Sequence, residues 1–81
     1  MAEASLNAGA LERLGKLKAW RAEVAREHNL PAFVIFHDAT LRALAEQDPQ
    51  SLGDLEGISG MGAKKLQAYG AEVLRVCAAS A

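Results

Sequence analysis

Leu55-Glu56-Gly57-Ile58-Ser59-Gly60-Met61-Gly62-Ala63-Lys64-Lys65-Leu66 is the stretch on which the rest of the chain turns. An apolar turn ends at Gly57, two glycines flank Met61, and a long helical pattern follows at once. Glycine enters φ > 0 without a Cβ clash, so Gly60-Met61-Gly62 between helical runs reads as a tight hairpin. The second glycine lies where the next helix opens, and a helix N-terminus presents unpaired N–H groups and a positive dipole end. Such an end can hold a phosphate. Lys64 and Lys65 fall in that first turn, where the dipole disfavours a cation. A nearby anion would relieve the conflict. A plain helix-helix turn with two solvated lysines fits the same spacing.

Working outward, Ser51 is placed to cap a short helix, with Asp54 three residues on as an imperfect capping box. Leu52, Leu55 and Ile58 are expected to face inward. On the other side, Leu66, Tyr69, Val73, Leu74, Val76 and Cys77 recur at helical spacing from about Gly62 to Ala79. Gly70 in mid-helix costs roughly 1 kcal/mol against alanine, which suggests that another helix approaches closely there.

Upstream, Asn7 is a plausible N-cap, with Leu6 and Leu11 placed for a hydrophobic staple. Leu11, Leu14, Leu17, Trp20, Val24 and Ala25 form the apolar stripe of a first helix running to about His28. Arg21 falls inside that arc, and a buried guanidinium needs a carboxylate. Asn29 and Pro31 end the helix. Leu30-Pro31-Ala32-Phe33-Val34-Ile35-Phe36 has strand-like propensity, but one strand has no partner in an otherwise helical chain. It reads as a single helical turn opened by Pro31. This turn can supply Val34, Ile35 or Phe36 to the core and leave either aromatic at the surface, Phe33 also fitting the core beside Phe36. His37-Asp38 opens the next helix, either residue serving as cap. Leu41, Leu44 and Ala45 form its buried stripe, and Asp48-Pro49 stops it.

Eighty-one residues make one domain at most. Residues 1–6 read as a disordered or extraneous start, 7–79 as the domain, and 80–81 as a tail. The single cysteine excludes an internal disulfide, and its apolar neighbours make Cys77 a packing residue. No charged-then-apolar leader and no long apolar run is present, so no membrane contact is expected. A cytoplasmic setting fits the cysteine usage. The net charge of −1 argues against tight nonspecific nucleic-acid binding. The charge is uneven. Residues 10–28 carry five basic groups against three acidic, while residues 38–56 carry one basic against five acidic. One face can therefore approach nucleic acid and another a basic partner.

Four motifs stand in order. They are Leu14-x-x-Leu17-x-x-Trp20-Arg21; Leu30-Pro31-Ala32-Phe33-Val34-Ile35-Phe36-His37-Asp38-Ala39-Thr40-Leu41; Ser51-Leu52-x-x-Leu55; and Ile58-x-Gly60-Met61-Gly62-x-x-Lys65-Leu66-x-x-Tyr69-Gly70. Together they resemble the HRDC domain, the "helicase and RNase D C-terminal" module, over nearly all of residues 8–78. The resemblance implies an all-α, compact five-helix bundle with a helix-hairpin-helix-like turn before the last helix. It implies a non-catalytic accessory domain, of a RecQ-type DNA helicase in first place and an RNase D-type nuclease in second. Its partners would be DNA and the helicase core or another protein. Any ATP and Mg would belong to the parent, which in a bacterium would be nucleoid-associated; the domain itself would need no cofactor. The chain departs from the family's usual pattern in carrying Phe33 where tyrosine is common and His37 where serine or asparagine caps.

The residues sort into three groups. Phe33 is the candidate stacking ring for a base, with Gly60, Gly62, Lys64 and Lys65 for phosphate. Glu46, Asp48 and Glu56, with Asp54 beside them, form an acidic face suited to a basic protein surface, or simply a solvated one. The family-like placing of Asp38 at a helix start implies that it is the carboxylate Arg21 meets, a structural ion pair tying the first helix to the third. No catalytic constellation is visible, and His28, His37 and Cys77 lack metal-ligand spacing.

Overall fold

The computed structural model describes residues 6–79. Helix α1 spans Ala8–His28, α2 Ala32–Ile35, α3 Asp38–Gln47, α4 Leu52–Glu56 and α5 Ala63–Ala79. The described residues contain these five helices and no strand, as the periodicity requires. The parts of the start and tail at residues 1–5 and 80–81 lie outside the described residues. Leu6, assigned above to the start, is instead buried in the core.

The helix ends follow from local chemistry. Asn7 Oδ1 accepts from Ala10 N at 2.8 Å, so one orphan N–H of α1 is satisfied. At its other end Asn29 turns left-handed (φ 54°) and its N–H returns to the last turn of α1. Asp48 does the same after α3 (φ 47°), immediately before Pro49. Ser51 Oγ accepts from Asp54 N at 3.3 Å. The reciprocal arm of this box reaches Gln50 N, one residue earlier than the usual partner, at 2.9 Å from Asp54 Oδ2. His37 occupies the cap position of α3 without a side-chain hydrogen bond to it.

The core gathers Leu14, Leu17, Trp20 and Val24 from α1, Ile35 and Phe36 from α2 and its end, Leu41 and Leu44 from α3, Leu55, Ile58 and Met61 around the hairpin, and Val73 and Cys77 from α5. Three rings meet at one end of it. Trp20 lies 6.0 Å from Phe36 and 5.7 Å from Tyr69, and Phe36 lies 5.8 Å from Tyr69, centroid to centroid. These are edge and tilted contacts of the favoured kind. Burial pushes the Cys77 thiol up to about 11, which suits a packed small hydrophobe.

Three apolar positions depart from the expected pattern. Leu11 is exposed, so the staple is reduced to Leu6 alone. Leu66 is half-buried against the core rather than inside it. Leu52, the first residue of α4, is 50% exposed. Its methyl nonetheless covers Gly70. A Cβ at that glycine would stand 3.0 Å from Leu52 Cδ2, 3.3 Å from Leu66 Cδ1 and 3.6 Å from Leu55 Cδ1. The mid-helix glycine thus marks the close approach of α4 to α5.

The hairpin depends on one glycine rather than two. Gly60 has φ 91°, and a Cβ there would collide with Thr40 Oγ1 and lie 3.2 Å from Thr40 Cβ. Thr40 itself is buried and donates to Ser59 O at 3.3 Å, pinning the hairpin to α3. Gly62 has open space around it, and its carbonyl accepts from Leu66 N as α5 begins.

Candidate nucleic-acid interface

The α2 turn carries the most exposed aromatic. Its four residues offer two sides: Ile35 and the following Phe36 go inward, while Phe33 and Val34 are left outside. Phe33 is 61% exposed. Its ring lies beside that of His37, centroids 6.3 Å apart and 27° from coplanar. Leu30, also exposed, precedes them. Of the two phenylalanines left open by the sequence, Phe36 is the core residue and Phe33 the surface one.

Two cations fasten the end of this turn. A single helical turn leaves its last carbonyls without intrahelical partners. Lys65 Nζ, from the first turn of α5, donates to Val34 O at 2.7 Å. Arg21 Nη1, from α1, donates to Phe36 O at 2.9 Å and to Asp38 Oδ1 at 2.7 Å. The expected ion pair between α1 and the start of α3 is therefore present. The Arg21 guanidinium beside Asp38, bonded to it and attracting its charge, holds that carboxyl below its usual value of 3.8. Arg21 Nε is buried and makes no hydrogen bond.

Lys65 is thus not a freely solvated phosphate contact. Its ammonium also sits 5.5 Å from the Phe36 ring centroid and 5.8 Å from that of Tyr69. The conflict between a lysine and a helix N-terminus is relieved by a carbonyl at the end of α2, so no external anion is required. Lys64 remains exposed. Gly60 and Gly62 are exposed and flank Met61, but Met61 is buried. Of the five residues assigned to nucleic acid, Phe33 and Lys64 offer side chains to solvent. Lys65 ties the segments carrying them together.

The acidic group also divides. Asp48 Oδ1 lies 3.7 Å from Arg13 Nε, which donates to Ala45 O at 3.0 Å, so Asp48 belongs to the junction of α1 and α3 rather than to an open face. Asp54 accepts from Gln50 N. Glu46 and Glu56 are exposed. Arg13 was missed in the sequence, although it stands four residues before Leu17, beside Leu14, on the same apolar arc that singled out Arg21. Among the described residues no three His, Cys, Asp or Glu side chains are grouped to hold a metal. No helix among them is long and apolar enough to cross a membrane.

The fold and this surface define a small all-helical module that offers an aromatic turn beside the start of its last helix. Comparison with known families matches residues 10–77 to the HRDC domain, and the chain belongs to that family. It is 48% identical over 65 residues to the ATP-dependent DNA helicase UvrD2 of Mycobacterium tuberculosis, covering 80% of this chain and 9% of that protein. It is 36% identical over 59 residues to the ATP-dependent DNA helicase RecQ of Bacillus subtilis, covering 73% of this chain and 10% of that one. Among solved structures it resembles D. radiodurans RecQ HRDC domain 3, with a TM-score of 0.83 and 34% identity over 86% of this chain and 92% of that chain. The chain therefore spans about a tenth of the helicases it matches. The RecQ likeness expected from the motifs is present, and UvrD2 stands beside it at higher identity.

Proposed function

We propose that this HRDC domain is a non-catalytic accessory domain of an ATP-dependent DNA helicase, of UvrD2 or RecQ type. It would tune how the parent engages DNA by a weak contact to unpaired bases. The observation that carries the contact is Phe33, an aromatic side chain held outside the core at 61% exposure beside His37. Leaving such a ring in water forgoes burial worth about 1.5–3 kcal/mol, while stacking one base on it is worth about 1–3 kcal/mol. Lys64 stands on the helix end that Lys65 joins to this turn. With a net charge of −1 and one clearly free lysine nearby, the contact should be weak at physiological salt. The helicase relatives support a helicase parent over a ribonuclease of RNase D type.

The test is fluorescence anisotropy of labelled single-stranded DNA with residues 1–81 at low and physiological salt. Phe33→Ala should weaken low-salt binding by about fivefold or more, the lower bound of one lost stack. Leu52→Ala, which removes another exposed apolar group, should not. Equal behaviour of the two variants would remove Phe33 from the interface. A second reading keeps Glu46 and Glu56 as a docking face for a basic surface of the helicase core, supported by their exposure and by the acidic balance of residues 38–56.

A further inference from the structure

We propose that Lys65 is a positioning residue, which holds the α2 turn so that Phe33 is displayed, and that it does not bind phosphate. This rests on the reading of Phe33 as the point of contact. A four-residue helix does not sustain itself, because fixing one turn costs more conformational entropy than its few closing bonds return. The turn must be held from outside. Val34 O in the turn and Phe36 O just beyond it each receive a cation from a different helix: Lys65 from α5 and Arg21 from α1.

The Val34 carbonyl lies in the Val34–Ile35 peptide, one residue beyond Phe33, so holding it holds the turn that displays the ring. The Lys65 ammonium is also attracted to the faces of Phe36 and Tyr69. To reach a phosphate away from this turn it would have to leave a 2.7 Å hydrogen bond and both rings together. Neighbouring Lys64 is exposed. Two adjacent lysines of the same chemistry therefore have different tasks. Lys64 is available for electrostatic contact with a backbone, whereas Lys65 builds the platform.

The experiment compares Lys65→Met, Lys65→Arg and Lys64→Ala in residues 1–81, with circular dichroism confirming the fold of each. Methionine keeps an unbranched apolar stem but no donor; arginine keeps a donor. Without DNA, NMR reports the proximity of the Phe33 and His37 rings and amide exchange through Ala32–Phe36. Lys65→Met should weaken the ring proximity and speed exchange there, Lys65→Arg should restore both, and Lys64→Ala should change neither. If the turn is unaltered in Lys65→Met, the positioning role is overturned.

Binding to labelled oligothymidine across a salt series gives the second readout. Lys65→Met should raise Kd without changing the salt slope, and Lys65→Arg should recover most of the affinity. Lys64→Ala should flatten the slope by about 0.7, the value for one phosphate contact on a single strand. A slope that flattens equally in Lys65→Met makes Lys65 a phosphate contact and ends the proposal. Failure of the base-contact reading looks different: Phe33→Ala then binds like the unaltered chain, while the NMR comparison still reports whether Lys65 holds the turn.

Discussion

One guanidinium nitrogen, Arg21 Nη1, joins three elements by donating to Asp38 Oδ1 at 2.7 Å and to the Phe36 carbonyl at 2.9 Å. The surroundings of its two bonds differ. The Arg21 side chain is 11% exposed, while that of Asp38 is 69% exposed. Water and salt therefore screen the charge attraction at the Asp38 end. The carbonyl end is sheltered by Phe36, which is buried.

Removing the two partners should then have unequal consequences. Asp38→Asn should cost at most about 1 kcal/mol, the range of an exposed ion pair. Arg21→Met strips a partner from the Phe36 carbonyl and should cost about 1–3 kcal/mol. Urea unfolding of both variants measures the difference. Equal losses would mean that the ion pair, and not the carbonyl bond, is what Arg21 contributes.

The same pair makes a small part of stability depend on pH. Arg21 lowers the Asp38 carboxyl in the folded state, so the unfolded chain binds that proton more readily. The stabilisation is complete above the unfolded value of about 3.8 and is lost as pH falls through the lower folded value. The stability difference between the unaltered chain and Asp38→Asn should be level at neutral pH and shrink in acid. A difference that grows on acidification would reverse the assigned sign.

Gly60 and Gly62 should separate sharply on substitution. Gly60→Ala places a Cβ at φ 91° and against Thr40, and should destabilise by about 1–3 kcal/mol. Gly62→Ala meets nothing within 4 Å and should stay within about 0.5 kcal/mol. Thr40→Ala added to Gly60→Ala should recover part of the loss, by removing the collision but not the backbone strain. Thermal unfolding of the set decides, and equal effects of the two glycine changes would contradict the single-glycine hairpin.

The acidic face can be tested without disturbing the fold if Asp48 is left in place. Reversing Glu46 and Glu56 to lysine should change stability by about 0.5 kcal/mol or less each, since both are exposed. Including Asp48→Lys would break its contact with Arg13 and confuse the result. In the full-length parent, the double reversal and Lys64→Ala should be compared for unwinding and DNA affinity. A silent reversal beside an impaired Lys64→Ala would favour direct DNA contact over docking through this face.

Much of the helix plan was legible in the chain because its signals are local. The 3.6-residue stripe through Leu14, Leu17 and Trp20, the Asn7 and Ser51 caps, and the Asp48-Pro49 stop each depend on residues within a few positions of one another. Even the Arg21–Asp38 pair could be expected, since a cation within an apolar arc requires a partner and Asp38 opens a helix at the spacing of the HRDC resemblance. Tertiary packing alone decided which aromatic of the α2 turn faced water, because Phe33 and Phe36 have the same chemistry and propensity. It also divided Lys64 from Lys65, Asp48 from Glu46, and Gly60 from Gly62. In each pair the side chains or backbones are chemically alike, and what separates them is a group distant in sequence: Val34 O beneath Lys65, Arg13 beside Asp48, Thr40 against Gly60. Such distinctions depend on where the helices cross, which residue spacing along one chain does not encode.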